Sequence, residues 1–393
     1  VQFSASAPNE SKALRGDDSS VSDKISLSDV SCGITDTHCH IFRTADSRLI
    51  SLYPSVFNAC SLNGEMPVVR DDFLLCRDEG EVDAFTEALV KLTGNSGREV
   101  FEELERLLLR SAEASVSEIM APAVTHFEGL RNLRLLRVFS KAHADASFPE
   151  IFCGMGVHPM YAGDFSREKL KTEYELIRRV FSESPAAPEE KSVTADGHPV
   201  KKLFVGEIGI DKRFRDTVPL DVQTEALHEH LIFAVENHLP VNIHGVGGDN
   251  EILHELKRLN RVKGIIHAFT GNSSRAEQYL RRGLKLGIGP MLLATESHKL
   301  EEAVRYAGID NLVLETDYPY MYMNLPENSS SSAPDTDSGG EQASADDSCF
   351  SPRRRSAASP DLLIHIVERL SEIFGIGKEE TAGRLHRNVE ELF

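Results

Sequence analysis

No stretch of this 393-residue chain approaches the roughly 20 consecutive apolar residues that cross a bilayer, so nothing in it reads as a membrane span. The first 29 residues lack the charged-then-apolar layout of a secretory leader. None of the six cysteines, at 32, 39, 60, 76, 153 and 349, forms a CxxC pair, and most lie in apolar contexts, which argues for reduced thiols. Together these absences point to an intracellular protein, cytoplasmic or nuclear. A basic excess is missing as well: 43 Lys and Arg against 62 Asp and Glu leave a formal charge of −19. Proteins that coat duplex nucleic acid displace counterions from many phosphates at once with broad basic surfaces, and this balance argues against that class. Bound divalent cations would reverse the sign locally.

What the chain does contain is organised around one run, Asp36-Thr37-His38-Cys39-His40, set between Cys32-Gly33-Ile34 and Ile41-Phe42. Alternation along a strand would put residues 36, 38 and 40 on one face, so that two imidazoles and a carboxylate converge. Such a face is costly in a hydrophobic core, because every buried ring nitrogen needs a partner. The pentad alone allows two readings, a metal-ligand cluster or a pair of satisfied structural histidines. The rest of the chain decides between them.

An apolar content of 40% suffices for a substantial core. Residues 1–31, rich in Ser, Asp and Ala without an apolar period, are expected to form a disordered tail. Residues 43–97 mix Pro54, Gly64, Pro67 and Gly94 with apolar patches such as Phe73-Leu74-Leu75, and are expected to be an insertion that, following the first strand, covers part of the rim on the face that carries the site. The three-to-four spacing of Phe101, Leu104, Leu107 and Leu108 predicts a helix over 99–116. From there strands and helices alternate. Strands are predicted at 32–37, 118–124, 150–155, 203–208, 240–244, 263–267, 284–288 and 311–316. Amphipathic helices fall at about 128–143, 167–182, 221–238, 250–260, 273–282 and 296–307. Eight such units predict one α/β domain over 32–393, a (β/α)8 TIM barrel with its chemistry at the C-terminal ends of the strands.

Two further insertions interrupt the alternation. Residues 183–202 precede a strand and belong on the bottom face. Residues 322–360, with Ser329 to Ser332, Gly339-Gly340 and Arg353-Arg354-Arg355, follow the eighth strand and so hang from the face that carries the site. The basic triplet suits a nucleic-acid backbone or simply a solvated linker. Two helices, at about 360–374 and 378–392, close the chain.

The strand ends carry polar residues that a core would reject. The third gives Gly156-Val157-His158-Pro159 and the fourth Gly206-Glu207-Ile208-Gly209-Ile210-Asp211; the fifth ends in His244, the sixth in His267, and the eighth in Glu315-Thr316-Asp317. Singly, His244 suits a bond to a carbonyl, Glu207 an ion pair with an Arg, and Asp317 a helix cap. Gathered at one mouth, histidines and carboxylates in this number fit a metal site better than any set of separate explanations. His38, His40, Glu207, His244, His267 and Asp317 are too many for one tetrahedral ion. Two divalent ions sharing Glu207 as a bridge match the set, a pair able to clamp a displacement at phosphorus or at carbonyl carbon.

At these positions the sequence resembles the TatD family of metal-dependent deoxyribonucleases within the amidohydrolase-like barrels. The resemblance runs from about Gly33 to the C-terminus and rests on DTHCH at 36–40, GVHP at 156–159, GEIGID at 206–211, NIH at 242–244, HAFTG at 267–271, ETDYPY at 315–320 and the closing TAGRLHRNVEELF. It implies a metal-dependent hydrolase of DNA phosphodiesters, exonucleolytic in mode, with two divalent ions drawn from Mg2+, Mn2+ or Zn2+. By that likeness His38 and His40 hold one ion, Glu207 bridges, His244 and His267 hold the other, and Asp317 is ligand or base. His158 matches a family histidine near the substrate phosphate.

Two positions depart from the family pattern. Val246 stands where an Arg usually follows the fifth-strand histidine by two residues, so that a phosphate contact is either absent or left to Lys212, Arg213 or Arg275. Tyr318 follows Asp317 where small residues are common, and there it would narrow the pocket or offer a face to a base. The acidic chain suits short or single-stranded DNA ends as substrate, because few phosphates need neutralising at once. Two other classes use the same barrel: hydrolases of amides, esters or lactones, including aminoacyl esters, and a non-catalytic scaffold. A glutamate at 207, where many of the former carry a modified Lys, favours the nuclease, and the full set of six ligands disfavours the scaffold.

Overall fold

The structure, a computed structural model, describes residues 33–43, 80, 82–84, 86–87, 101–143, 146–164, 166, 168, 171, 175, 200–259, 261–294, 297–324 and 355–393. Eight strands run β1 (Ile34–Asp36), β2 (Val116–Ala121), β3 (Glu150–Met155), β4 (Val200–Asp211), β5 (Val241–Val246), β6 (Gly264–Ile266), β7 (Leu284–Ile288) and β8 (Leu312–Leu314). Each pairs in parallel with the next, and β1 pairs with β8, closing the predicted (β/α)8 barrel. Among the described residues no helix is long and apolar enough to cross a membrane.

Period-two alternation sorts the strand side chains into two shells. Met120, Phe152, Phe204, Ile265 and Val313 cluster with Val389 and Leu392, whereas their chain neighbours Ile119, Ile151, Val205, Ile266 and Leu312 join the larger core shared with the helices. The first set fills the barrel interior and the second packs the helical layer against it, as parallel strands buried on both faces require.

The helices α1 (Glu102–Glu113), α2 (His126–Ala142), α3 (Leu220–Glu236), α4 (Asp249–Arg258), α5 (Ser273–Leu280), α6 (His298–Ala307), α7 (Leu363–Phe374) and α8 (Lys378–Glu390) follow the expected positions. In α1 the buried residues are Leu104, Leu107, Leu108 and Ser111, the stripe that its spacing predicts. Thr125 starts α2 by accepting from Glu128 N at 3.1 Å, and the Glu128 carboxylate reaches back to Val124 N at 2.7 Å. This reciprocal capping satisfies donors that a helix start otherwise leaves open. Helix α8 is fastened beneath the barrel by Asn388, whose amide donates to Ile309 O at 2.8 Å and to Leu312 O at 2.7 Å.

The insertions are bounded more tightly than their composition suggested. Strand β4 begins at Val200, inside the stretch 183–202 read as insertion. The ends of the stretch 322–360 belong to the folded body: β9 (Tyr322–Asn324) pairs antiparallel with β10 (Arg355–Ala357), and Ala358 is buried and donates its N–H to Met321 O at 2.8 Å. Backbone pairing fixed these residues, a term that composition does not display. Within 43–97, Val82 lies in the main core and Asp83 pairs with Arg134 of α2, which sets this part on the helical layer. The tail 1–31, the rest of 43–97, most of the helix foreseen at 167–182, residues 183–199 and residues 325–354 lie outside the described residues.

Candidate metal centre

The pentad after β1 does not continue as a strand. Thr37 N donates to Leu314 O at 2.8 Å, tying the bend to the end of β8. Asp36, fully buried, turns away from the histidines: Oδ1 accepts from Thr316 N at 3.1 Å and from His38 N at 3.2 Å, and Oδ2 accepts from the Thr316 hydroxyl at 2.6 Å. The expected convergence of 36, 38 and 40 therefore holds for the two histidines and fails for the carboxylate. Burial pushes the Asp36 pKa up to about 7 against these hydrogen bonds. His38 and His40 meet with their Nε2 atoms 3.2 Å apart.

Glu207, on β4, reaches both sides of the mouth. Its Oε2 lies 3.7 Å from His38 Nε2 and 3.5 Å from His40 Nε2, while Oε1 lies 2.8 Å from His244 Nδ1, 3.3 Å from His267 Nε2 and 3.6 Å from His158 Nε2. Asp317 Oδ1 stands 3.6 Å from His38 Nε2 and 3.9 Å from His40 Nε2. Asp317 adopts a left-handed backbone, φ 53°, in a turn where its N–H donates to His38 O at 2.8 Å and its carbonyl accepts from Tyr320 N at 2.8 Å. All six predicted ligands thus come together at the C-terminal ends of the strands. Four overlapping groups, His38/His267/Asp317, His38/His40/Glu207, His158/Asp211/His244 and Glu207/His244/His267, each gather their donor atoms within 4.8 Å.

Two glycines make this approach possible. Gly209 has φ +148°, and a Cβ on it would fall 1.9 Å from the carbonyl oxygen of His244. At Gly287 a Cβ would fall 2.1 Å from Glu315 Oε2, so only glycine leaves room for that carboxylate beneath the site.

The donor set fits divalent cations on the hydrogen-bond pattern itself. The Asn242 amide donates to Thr37 O at 2.9 Å, which fixes its orientation and turns Oδ1 toward His38 Nδ1, also at 2.9 Å. Nδ1 of His38 must then carry the proton, and neutral His38 presents an Nε2 lone pair to the centre. His244 does the same with the opposite atom: Nε2–H donates to Asp211 Oδ2 at 3.1 Å, and Nδ1 faces Glu207 and lies 3.2 Å from His267 Nε2. Buried His40 Nδ1, His267 Nδ1 and Glu315 Oε2 have no hydrogen-bond partner among the described residues. Lone pairs of histidine and carboxylate pointed at one another repel unless a proton or a cation lies between them.

Protonation in the cation-free protein follows that competition. Burial alone would raise the Glu207 pKa, but His158, His244, His267 and His38 hold it well below the usual carboxylate range. Burial, followed by the charge of His267, keeps His38 well below an ordinary imidazole. Burial takes His158 down to about 3. At His267 burial is outweighed by Glu207, Glu315 and Asp317, which carry it up to about 9, and at His244 the bonds to Asp211 and Glu207 likewise prevail over burial and raise it. Glu315 is pushed up to about 8 by burial.

Sequence reasoning missed the residues behind the ligands. Asp211 and Asn242 hydrogen-bond and so orient His244 and His38, Glu315 lies 3.9 Å from His267 Nδ1 without a hydrogen bond to it, and each lies two residues from a candidate ligand or within its motif. Their signal was a buried polar residue beside a ligand, the partner a metal-bound imidazole needs on its other nitrogen.

The two expected substrate contacts fare differently from His158. Arg275 turns to Asp249, 3.6 Å away. Tyr318 packs against the main core with Cys39, Arg110, Glu103 and Asp361 in electrostatic reach, and its carbonyl accepts from His40 N at 2.8 Å. The turn that starts at Asp317 sends residues 318 and 320 different ways, and the aromatic beside the ligands is Tyr320, whose ring centroid is 5.1 Å from that of His40. Of the other basic candidates, Lys212 pairs with Glu251 at 2.8 Å, and Arg213 grips Asp211 with Nε and Nη2, the shortest contact 2.6 Å.

The family profile of the TatD related DNases matches residues 93–393. A metal-dependent hydrolase of Haemophilus influenzae is 27% identical over 227 residues, 56% of this chain and 76% of that protein. The 3'-5' ssDNA/RNA exonuclease TatD of Pantoea vagans is 26% identical over 293 residues, 74% of this chain and 92% of that one. The deoxyribonuclease Tat-D of Schizosaccharomyces pombe is 31% identical over 169 residues, 42% and 50% of the two chains. The crystal structure of the TatD homologue YjjV from Escherichia coli superposes with a TM-score of 0.54 at 23% identity over 92% of this chain and 98% of that one, which shows the same fold.

Proposed function

The chain belongs to the TatD-related DNases, and from that premise we propose that it removes nucleotides from the ends of DNA strands, using two divalent cations held by His38, His40, Glu207, His244, His267 and Asp317. The observation that carries this reading is Glu207, whose two oxygens face different histidine pairs, Oε2 the pair after β1 and Oε1 the pair from β5 and β6. One carboxylate so placed is built to be shared. Divalent ions bound there would acidify a water for attack on phosphorus and offset the charge gathering on the phosphate oxygens.

The chain's own residues supply the rest. Asp317, with 19% of its side chain exposed, is the carboxylate of the set most open to the mouth, and it takes the proton released by the attacking water. His158, neutral because of its burial, stands 3.6 Å from Glu207 and faces the substrate phosphate. Asn242 and Asp211 hold the imidazoles of His38 and His244 in one tautomer and orientation, so little rearrangement accompanies the reaction. No covalent enzyme intermediate is required.

End-labelled single- and double-stranded oligonucleotides, incubated with Mg2+, Mn2+ or Zn2+ and with chelator, test the proposal. Shortening from an end that stops on chelation is the expected result. Cleavage that survives chelation rejects metal catalysis, and inertness toward DNA alongside hydrolysis of amide or ester substrates would move the site to the other branch of these barrels.

A further inference from the structure

Gln223, in the first turn of α3, is fully buried and bonds to none of the six candidate ligands. A buried primary amide is costly unless its oxygen and both its N–H groups find partners. Here all of them do, and on one loop. Oε1 accepts from Asp211 N at 2.9 Å, while Nε2 donates to Asp211 O at 3.2 Å and to Val218 O at 2.9 Å. Resting on the cation-binding reading above, we propose that Gln223 is a positioning residue of the centre. It grips Asp211 by both backbone groups, so that the Asp211 carboxylate meets His244 Nε2–H and the Nδ1 of that imidazole faces inward.

Three observations carry the assignment. The last paired residue of β3 is Met155, opposite Val205, whereas β4 runs on to Asp211, which pairs with Val246 of β5 on its other side. At Asp211 the glutamine amide takes the N–H and C=O as a neighbouring strand would, and the Asp211 N–H fixes which end of the amide is oxygen. Both oxygens of the Asp211 carboxylate are committed as well: Oδ1 accepts from Arg213 N at 2.9 Å, and Oδ2 lies 3.1 Å from His244 Nε2. Their direction therefore follows from where the backbone is held. Finally, the bond to Val218 closes the loop 211–218, so one side chain anchors both ends of the turn that carries Arg213.

A shift of the Asp211 backbone is passed directly to the 3.1 Å bond on His244. The partner on the outer nitrogen of a metal-binding imidazole is worth about 10- to 100-fold in metal affinity. Gln223 thus acts on the centre without touching it. Two substitutions of similar size dissect the amide. Methionine removes all three bonds, and an ionised glutamate keeps the acceptor for Asp211 N while losing both donors.

The test uses the full chain and Mn2+ as the probe, with affinity read by titration calorimetry and Tm measured for each metal-free protein. Gln223→Met, Asp211→Asn and the double variant form a cycle. Gln223→Met is expected to weaken Mn2+ binding about tenfold in the wild-type background and to add almost nothing beside Asp211→Asn. Asn388→Leu is the control, because it removes another buried amide that bonds two backbone carbonyls, at the far end of the barrel. That variant should lower Tm and leave Mn2+ affinity unchanged. If Gln223→Met does not fold, Gln223→Glu replaces it in the same cycle with the same expectation. Unchanged affinity in the Gln223 variant, losses that add in full on top of Asp211→Asn, or an equal loss of affinity in Asn388→Leu would each overturn the positioning role. A wild type that binds no divalent cation sinks the cation-binding reading itself, an outcome distinct from binding that ignores Gln223.

Discussion

Asp211 Oδ2 lies 3.1 Å from Nε2 of His244, and the same imidazole turns Nδ1 to Glu207 Oε1 at 2.8 Å. A chain of carboxylate, imidazole and carboxylate thus runs from Arg213 at the surface into the centre. Asp211→Asn keeps the shape of the outer member and removes its charge. Metal affinity is expected to fall about 10- to 100-fold, with kcat largely recovered at saturating metal. Titration calorimetry beside metal-dependent kinetics checks this; unchanged affinity would make Asp211 a bystander.

Under the proposed two-cation reading, Glu207→Gln preserves volume but withdraws a charge shared by both ions, so both should be lost together. His267→Ala should chiefly empty one position. Elemental analysis of the two variants distinguishes a shared ligand from two independent sites, and two ions per chain with full cleavage in Glu207→Gln would refute the bridge.

On the proposed mechanism, Asp317→Asn removes both a ligand atom and the proton acceptor. Turnover is expected to drop by about 10²- to 10⁴-fold while oligonucleotide binding weakens far less, because the cation that the remaining ligands would keep and neighbouring side chains would still hold the phosphate. Single-turnover cleavage and equilibrium binding separate the two effects; parallel losses would contradict a role in proton transfer.

Acid stability should depend on a histidine outside the site. His230 lies fully buried with Nδ1 donating to Ala226 O at 2.6 Å and Nε2 3.1 Å from His126 Nε2, and burial, then the His126 charge, push its pKa down to about 3. Because the folded value is below the unfolded one, the unfolded chain takes the proton first. The contribution is intact above about pH 6.5 and is lost as the pH falls toward 3, at most about 1.4 kcal/mol per pH unit. The fall in Tm between pH 7 and pH 5 is therefore expected to be smaller in His230→Gln than in wild type. Equal falls would show that another group governs acid unfolding.

Much of this protein was legible along the chain. Alternating apolar runs and amphipathic spacing placed eight strands and the helices between them, since both periodicities are local properties of the backbone. The six candidate ligands stood out because buried polar residues at the ends of apolar strands have few other uses, and the structure brings their side chains together. What the sequence left open was direction. Asp36 and Asp211 are both acids within two residues of a strand end, yet Asp36 is captured by Thr316 and Asp211 faces His244. Tyr318 and Tyr320 are two residues apart in one motif, yet the first packs on the core and the second stands over His40. These choices were made by hydrogen bonds such as Asp317 N to His38 O and His40 N to Tyr318 O, which join segments some 280 residues apart. Such bonds exist only once the barrel has closed β1 on β8, so the face each side chain takes in these turns is a property of the tertiary structure.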